Sequence, residues 1–130
     1  MSVIIVLDLE TTVQFGEDKS KDNSPYNPKN KIVSSHWRMI EDGVLHDAQR
    51  AIFNHNEQNG LDADSSEAMK QDISRAELMV CHNAKFDVSY LLESGFSIPK
   101  TVYCTMIGEY VFARGQRQEL SLKATAERRD

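Results

Sequence analysis

Asp8 and Glu10 are separated by one residue at the end of the run Val3-Ile4-Ile5-Val6-Leu7. The run is apolar, rich in β-branched residues and too short for a typical helix, which is the pattern of a buried central strand. Side chains alternate along a strand, so residues i and i+2 project to one face. The two carboxylates therefore leave the sheet together. Like charges held that close raise each other's pKa and disfavour joint ionisation, and a bound divalent cation reverses that penalty. Hard cations such as Mg²⁺ take oxygen ligands, commonly including one or two carboxylates. The chemistry suited to this pair is metal-ion chemistry at the tip of a strand. The plainer reading, an acidic pair where a strand runs into a loop, needs no ion. A further carboxylate elsewhere in the chain decides between them.

Asp87 is that carboxylate. Glu77-Leu78-Met79-Val80-Cys81-His82 reads as a short buried strand, followed by a helix with Val88, Leu91 and Leu92 on one face and Gly95 as its stop. Asp87 falls in the first turn of that helix. A helix lying between strands implies a crossover and parallel pairing with the first strand. In such sheets, sites form beyond the carboxyl ends of the strands, where Asp8, Glu10 and Asp87 can converge. That arrangement suits two divalent ions about 3.5–4 Å apart, clamping the attacking and leaving oxygens of a phosphodiester.

The elements that must position these residues follow in order. Gln14 to Lys31 is polar and contains Ser24-Pro25 and Asn27-Pro28, and reads as a long mobile loop. Ile32 to Ile40 is a strand, with Trp37 as core packing. Asp42-Gly43 is a hairpin signal, and Val44 to Asn54 is the returning strand, completing a three-stranded antiparallel meander. Asp64 is the expected N-cap of a helix, with Glu67 as the acidic partner of a capping box and Met69, Ile73 and Ala76 as its core stripe. Thr101 to Cys104 is a final strand. Thr105 to Ala113 is a helix expected to turn Met106, Ile107, Tyr110 and Val111 inward, and Ser121 caps a last helix.

The chain has 130 residues, the size of one domain, with ordinary globular composition and a net charge of −5. That charge argues against a protein that coats nucleic acid by electrostatics alone, but not against a nuclease, whose site is itself acidic. Arg114, Arg117, Lys123, Arg128 and Arg129 make the C-terminal part locally basic, as a solvated helical face or a phosphate-contacting patch. No signal peptide and no membrane-spanning apolar run is expected. Cys81 and Cys104 are expected as free thiols.

Asp8-Leu9-Glu10-Thr11-Thr12 resembles the first motif of the DEDD (DnaQ-like) 3′→5′ exonucleases, and His82-Asn83-Ala84-Lys85-Phe86-Asp87 resembles their second. The Ser24-to-His36 loop, Tyr103 to Tyr110 and Leu120 to Lys123 are similar to the proofreading region of bacteriophage family A DNA polymerases, so the resemblance spans nearly the whole chain. It implies an α/β, RNase H-like fold: a mixed sheet with an antiparallel meander, then parallel strands with crossover helices, in one domain over residues 1–130. It implies a metal-dependent exonuclease hydrolysing phosphodiester bonds at single-stranded DNA 3′ ends, with two Mg²⁺ or Mn²⁺ ions, beside a DNA polymerase domain or subunit in the cytoplasm of a phage-infected bacterium. Carried over by position, Asp8, Glu10 and Asp87 are metal-holding catalytic residues. Thr11, Thr12 and Asn83 are substrate-binding residues. Phe86 is structural, and Lys85 is either a phosphate contact or a solvated lysine.

The chain departs from the family at the third motif, Tyr-x3-Asp or His-x4-Asp, which supplies a fourth carboxylate and the group that orients water. The residues four after Tyr26, Tyr90, Tyr103 and Tyr110 are Asn30, Ser94, Ile107 and Arg114. The one His-x4-Asp, His82 to Asp87, is the second motif itself. The expectation is an incomplete domain whose C-terminal part is missing, so that activity of these 130 residues alone is in question: positioning and charge stabilisation carry most of such a reaction. Cys104 stands where the broader family often has Asp before Thr. Two alternatives stand beside the DNA exonuclease: an exoribonuclease of the same superfamily, separable by its use of the 2′-OH, and a non-catalytic nucleic-acid-binding module.

Overall fold

The computed structural model describes residues 2–18, 20–53, 65–113 and 119–129. Strand β1 (Val3–Thr11) lies inside a six-stranded mixed sheet. Its alternation is clean: Val3, Ile5, Leu7 and Leu9 are buried on one face, while Val6, Asp8 and Glu10 are exposed on the other. A long connection carrying β2 (Gln14–Phe15) and β3 (Lys21–Asp22), paired with each other, leads to β4 (Ile32–Glu41). β4 runs antiparallel to β1, from Val3 opposite Glu41 to Thr11 opposite Ile32, with an irregularity after Glu10.

The expected hairpin turn is present, with Asp42 and Gly43 both at positive φ (50° and 82°), as a two-residue turn between twisted strands requires. The return is not one strand. It is split into β5 (Val44–Leu45) and β6 (Gln49–Ile52), both antiparallel to β4. The break spans His46, Asp47 and Ala48; Asp and Ala are poor strand formers. Asn54, the expected end of the return, lies outside the described residues.

Helix α1 (Ser66–Arg75) then crosses to β7 (Leu78–Cys81), which pairs parallel with β1 from Ile4 opposite Leu78 to Val6 opposite Val80. Helix α2 (Ala84–Glu93) crosses to β8 (Thr101–Cys104), parallel to β7. The spatial order is β5-β4-β1-β7-β8, with β6 also on β4. The expected α/β class, meander and parallel crossovers are therefore present. Helices α3 (Thr105–Phe112) and α4 (Leu122–Arg129) follow. Among the described residues, no helix is long and apolar enough to cross a membrane.

One face of the sheet carries the core, with Met69 and Ile73 of α1 and Tyr90 and Leu91 of α2 buried against it. Trp37 is buried as expected, and its indole N–H donates to Asp72 of α1 (2.8 Å). Arg75 of α1 pairs with Glu41 at the end of β4, tying the helix to the sheet a second time.

Several side-chain expectations are corrected. The helix cap expected at Asp64 lies outside the described residues. The residue before α1 is Ser65, whose hydroxyl instead accepts the backbone N–H of Ile52 (2.8 Å). In α2, Leu92 is exposed and Tyr90 takes the inward position beside Leu91. In α3 the expected inward stripe is largely outward: Ile107, Tyr110 and Val111 are exposed, and the buried residue is Glu109, paired with Arg128 (3.1 Å). An apolar stripe shows that a helix has a face to cover, not which described element covers it.

The polar segment after β1 is also not the loose loop its composition implies. Thr12 and Lys31 close its ends, Thr12 N–H donating to the Lys31 carbonyl (2.9 Å) and Lys31 N–H to the Thr12 hydroxyl (2.8 Å). The buried Asn30 amide donates to the carbonyls of Asp22 (3.1 Å) and Ser24 (2.9 Å). Asn27 donates to the Asp22 carboxylate (2.8 Å), and the buried Tyr90 hydroxyl donates to the Asn23 carbonyl (2.7 Å). Local side-chain bonds of this kind fold a loop without sheet or helix.

Candidate active site

The carboxyl ends of β1 and β7 point the same way because the strands are parallel neighbours, and β1 runs on past its last pair with β7, Val6 opposite Val80. β1 delivers Asp8 and Glu10 there on its exposed face. β7 ends at Cys81, and His82-Asn83 turns the chain into α2, which delivers Asp87 in its first turn. The turn is tight enough to hold Asn83 in the left-handed region (φ 63°, ψ 58°). A non-glycine residue takes that region at some cost, least for Asn and Asp.

Asp87 is 2% exposed, and its Oδ2 has no hydrogen-bond partner among the described residues. Burial pushes its carboxyl up to about 7, and the charges of Asp8 and then Glu10 push the same way; a hydrogen bond from the Cys81 thiol pulls against them. Asp8 and Glu10 thus act electrostatically on Asp87. Asp8 and Glu10 reach into solvent, however, and among the described residues no three His, Cys, Asp or Glu side chains stand close enough to hold one ion together. Mutual repulsion favours such a spread arrangement.

The residues present fit a hard divalent cation on two grounds. Their donors are carboxylate oxygens, and a buried carboxyl oxygen is left without a partner among the described residues, where a charge is stable only if paired.

The other expected site residues are placed as follows. Thr11 is half-buried opposite Ile32. The Thr12 hydroxyl is engaged with the loop at Lys31. Asn83 is exposed and, with Pro25, Tyr26, Lys85, Phe86 and Ser89, lines a hollow of about 240 Å³ between the loop and α2. Phe86 is half-buried against Tyr90, ring centroids 4.9 Å apart, and Lys85 is exposed. On the other side of Asp8, a second hollow of about 480 Å³ opens on the exposed face of the sheet, between Val6, Arg38, Leu45, His82 and Leu122. His36 stands directly opposite Asp8 across the β1–β4 ladder.

Three contributors escape sequence reasoning. His82 bridges the site to the C-terminal segment, its Nδ1 against the Thr105 hydroxyl (2.8 Å) and its Nε2 against the Leu120 carbonyl (2.6 Å). Tyr90 fixes the loop, and Cys81 faces Asp87. Burial and the charge of Asp87 both raise the Cys81 thiol well above its ordinary range. The partners of His82 and Tyr90 lie 38 and 67 residues away, beyond any local pattern. The adjacency of Cys81 and Asp87 was available from the strand-to-helix turn.

No family model matches the chain, and no curated protein matches it.

Proposed function

We propose that this domain has an RNase H-like fold and carries the metal-holding part of a 3′→5′ exonuclease site that acts on single-stranded DNA ends, as in polymerase proofreading. The observation that carries the reading is the Asp87 carboxyl: buried, without a partner on Oδ2 among the described residues, and raised by burial and by Asp8 and Glu10 at the end of the adjoining parallel strand. The mixed sheet order and the two sequence motifs support it further.

In this reading Asp8, Glu10 and Asp87 hold Mg²⁺ or Mn²⁺. Bound there, divalent ions would polarise the phosphodiester and stabilise the charge that develops on its oxygens. Asp87, held by α2, fixes one ligand rigidly in low dielectric. In the same reading Glu10 also contacts the terminal nucleotide. Asn83, lining the hollow beside the loop, orients the strand, and Lys85 in the same lining is either a phosphate contact or a solvated lysine.

The 130 residues contain no Tyr-x3-Asp, and their His-x4-Asp is already used. That observation favours a second reading, a module that binds ions and 3′ ends without turnover. The two readings separate in one experiment. The chain is incubated with a 5′-labelled single-stranded oligonucleotide in Mn²⁺, beside Asp8→Ala and Asp87→Ala. Shortening from the 3′ end that both substitutions abolish supports the exonuclease. Binding that needs a free 3′ hydroxyl and Mn²⁺, without shortening, supports the module. No metal-dependent binding or cleavage overturns both, and preference for RNA transfers the reading to an exoribonuclease.

A further inference from the structure

We propose that Cys81 and Cys104 are a peroxide-oxidisable pair, closing a disulfide across β7 and β8 that takes the Cys81 thiol away from Asp87. The inference stands on strand register and does not depend on the nuclease reading.

Both cysteines are free, and they are direct partners in the β7–β8 ladder. Neighbouring strands lie about 4.8 Å apart, and directly opposed residues project to the same face. That spacing falls within the ~4.4–6.8 Å Cα separation that disulfides use. The bond needs side-chain rotation and a local drawing together of the two strand ends, from the strand spacing toward the ~3.5–4.5 Å Cβ separation of a disulfide.

The two thiols have different surroundings. Cys81 is 1% exposed, whereas Cys104 is half-buried. Cys104 immediately precedes α3, and its sulfur accepts the Ala84 N–H from the start of α2 (3.3 Å). It thus meets the N-terminal ends of two helices at once. Burial works to raise the Cys104 thiol, but the N–H groups of Ala84, Ile107, Met106 and Asn83 outweigh it and hold the thiol below its ordinary range. A thiolate favoured in this way is the nucleophile in thiol oxidation. Cys81, screened from solvent, is the resolving partner.

The oxidant is hydrogen peroxide. The Cys104 sulfur attacks one peroxide oxygen, the O–O bond breaks, and the departing hydroxide leaves as water after taking a proton. The sulfur is oxidised by two electrons to a sulfenic acid and the peroxide is reduced. The Cys81 sulfur then attacks the Cys104 sulfur, the S–O bond breaks, and the leaving hydroxide takes the Cys81 proton and departs as a second water. In the disulfide, Cys81 has no hydrogen left to offer the neighbouring Asp87 carboxyl.

The test treats the full chain at low concentration with hydrogen peroxide. Remaining thiols are then alkylated in denaturant, the unreduced protein is digested, and the peptides are mapped by mass spectrometry. The expected result is a near-complete link between the peptides of Cys81 and Cys104, reversed by dithiothreitol, with Cys81 left fully alkylatable in Cys104→Ser. The proposal is overturned if both thiols still alkylate after exposure that fully oxidises glutathione. It is equally overturned if dimedone traps a lasting sulfenic acid on Cys104 while Cys81 stays free, or if the link joins two molecules. If Cys104→Ser fails to fold, the map of the unsubstituted chain decides alone.

Discussion

The Tyr90 hydroxyl of α2 donates to the backbone carbonyl of Asn23, across 67 positions of sequence, at 2.7 Å. It joins the segment that follows β1 to the helix that carries Asp87. A polar segment and the site residue are thereby set by one buried side chain. Tyr90→Phe keeps the ring and removes the donor. The expected cost is about 1 kcal/mol, with faster amide exchange across the loop and none in β1. Urea denaturation together with hydrogen exchange by mass spectrometry checks both, and unchanged exchange in the loop would show that the bond is dispensable.

Asp87 sets a pH dependence of known sign. Its folded carboxyl titrates near 7, above the ordinary 3.8, so between those values the folded state holds more protons than the unfolded state. The contribution of Asp87 to stability in a metal chelator should therefore be full below about pH 4, fall as pH rises toward 7, and level off above. The total loss is on the order of 2–4 kcal/mol. Asp18 and Asp22, held below 3.8 by hydrogen bonds from Ser20 and from Ser24 and Asn27, act in the opposite sense at lower pH and leave this window clear. Asp87→Asn should flatten the slope, as measured by urea midpoints from pH 4 to 8.

Metal addition follows from the same carboxyl. If Asp8, Glu10 and Asp87 hold Mn²⁺, a concentration of one hundred times the dissociation constant should stabilise the fold by about 2.7 kcal/mol. The gain should vanish in Asp8→Asn and return to baseline when a chelator is added. Calorimetric melting with and without Mn²⁺ reads this directly. An equal shift in Asp8→Asn would place the ion elsewhere.

His82 holds two later residues at once, Thr105 and Leu120. His82→Ala should release the α3–α4 segment while leaving the sheet intact. The expected global cost is about 1–2 kcal/mol, with the larger change local: raised amide exchange in residues 119–129 and little in 3–11. Uniform exchange across both would mean that the segment is independent of His82.

Much of the fold was legible because its signals are local. The apolar run before Asp8 marks β1, Asp42-Gly43 marks a hairpin, and a helix between two short apolar runs marks a parallel crossover. What was illegible depends on partners far away in sequence. The segment from Gln14 to Lys31 has the composition of a mobile loop, yet Asn30 and Asp22 use those polar groups to fold it. The stripe of α3 predicts an inward face, and the buried residue is instead Glu109, because Arg128 of α4 meets it there. The candidate carboxylates could be placed from spacing alone. The buried state of Asp87 and the solvent exposure of Asp8 and Glu10 could not, since burial is set by how α2 sits on the sheet.

The position of β1 has a mechanical consequence. It is flanked by β4 over nine residue pairs on one side and by β7 on the other. Tension applied at the start of the chain runs along β1, across the direction of its ladder bonds. Both ladders are then loaded in shear, so their bonds must yield together rather than unzip one at a time. The strand that presents Asp8 and Glu10 is accordingly placed to resist pulling, and a tether at residue 2 would load the sheet along its stiff direction.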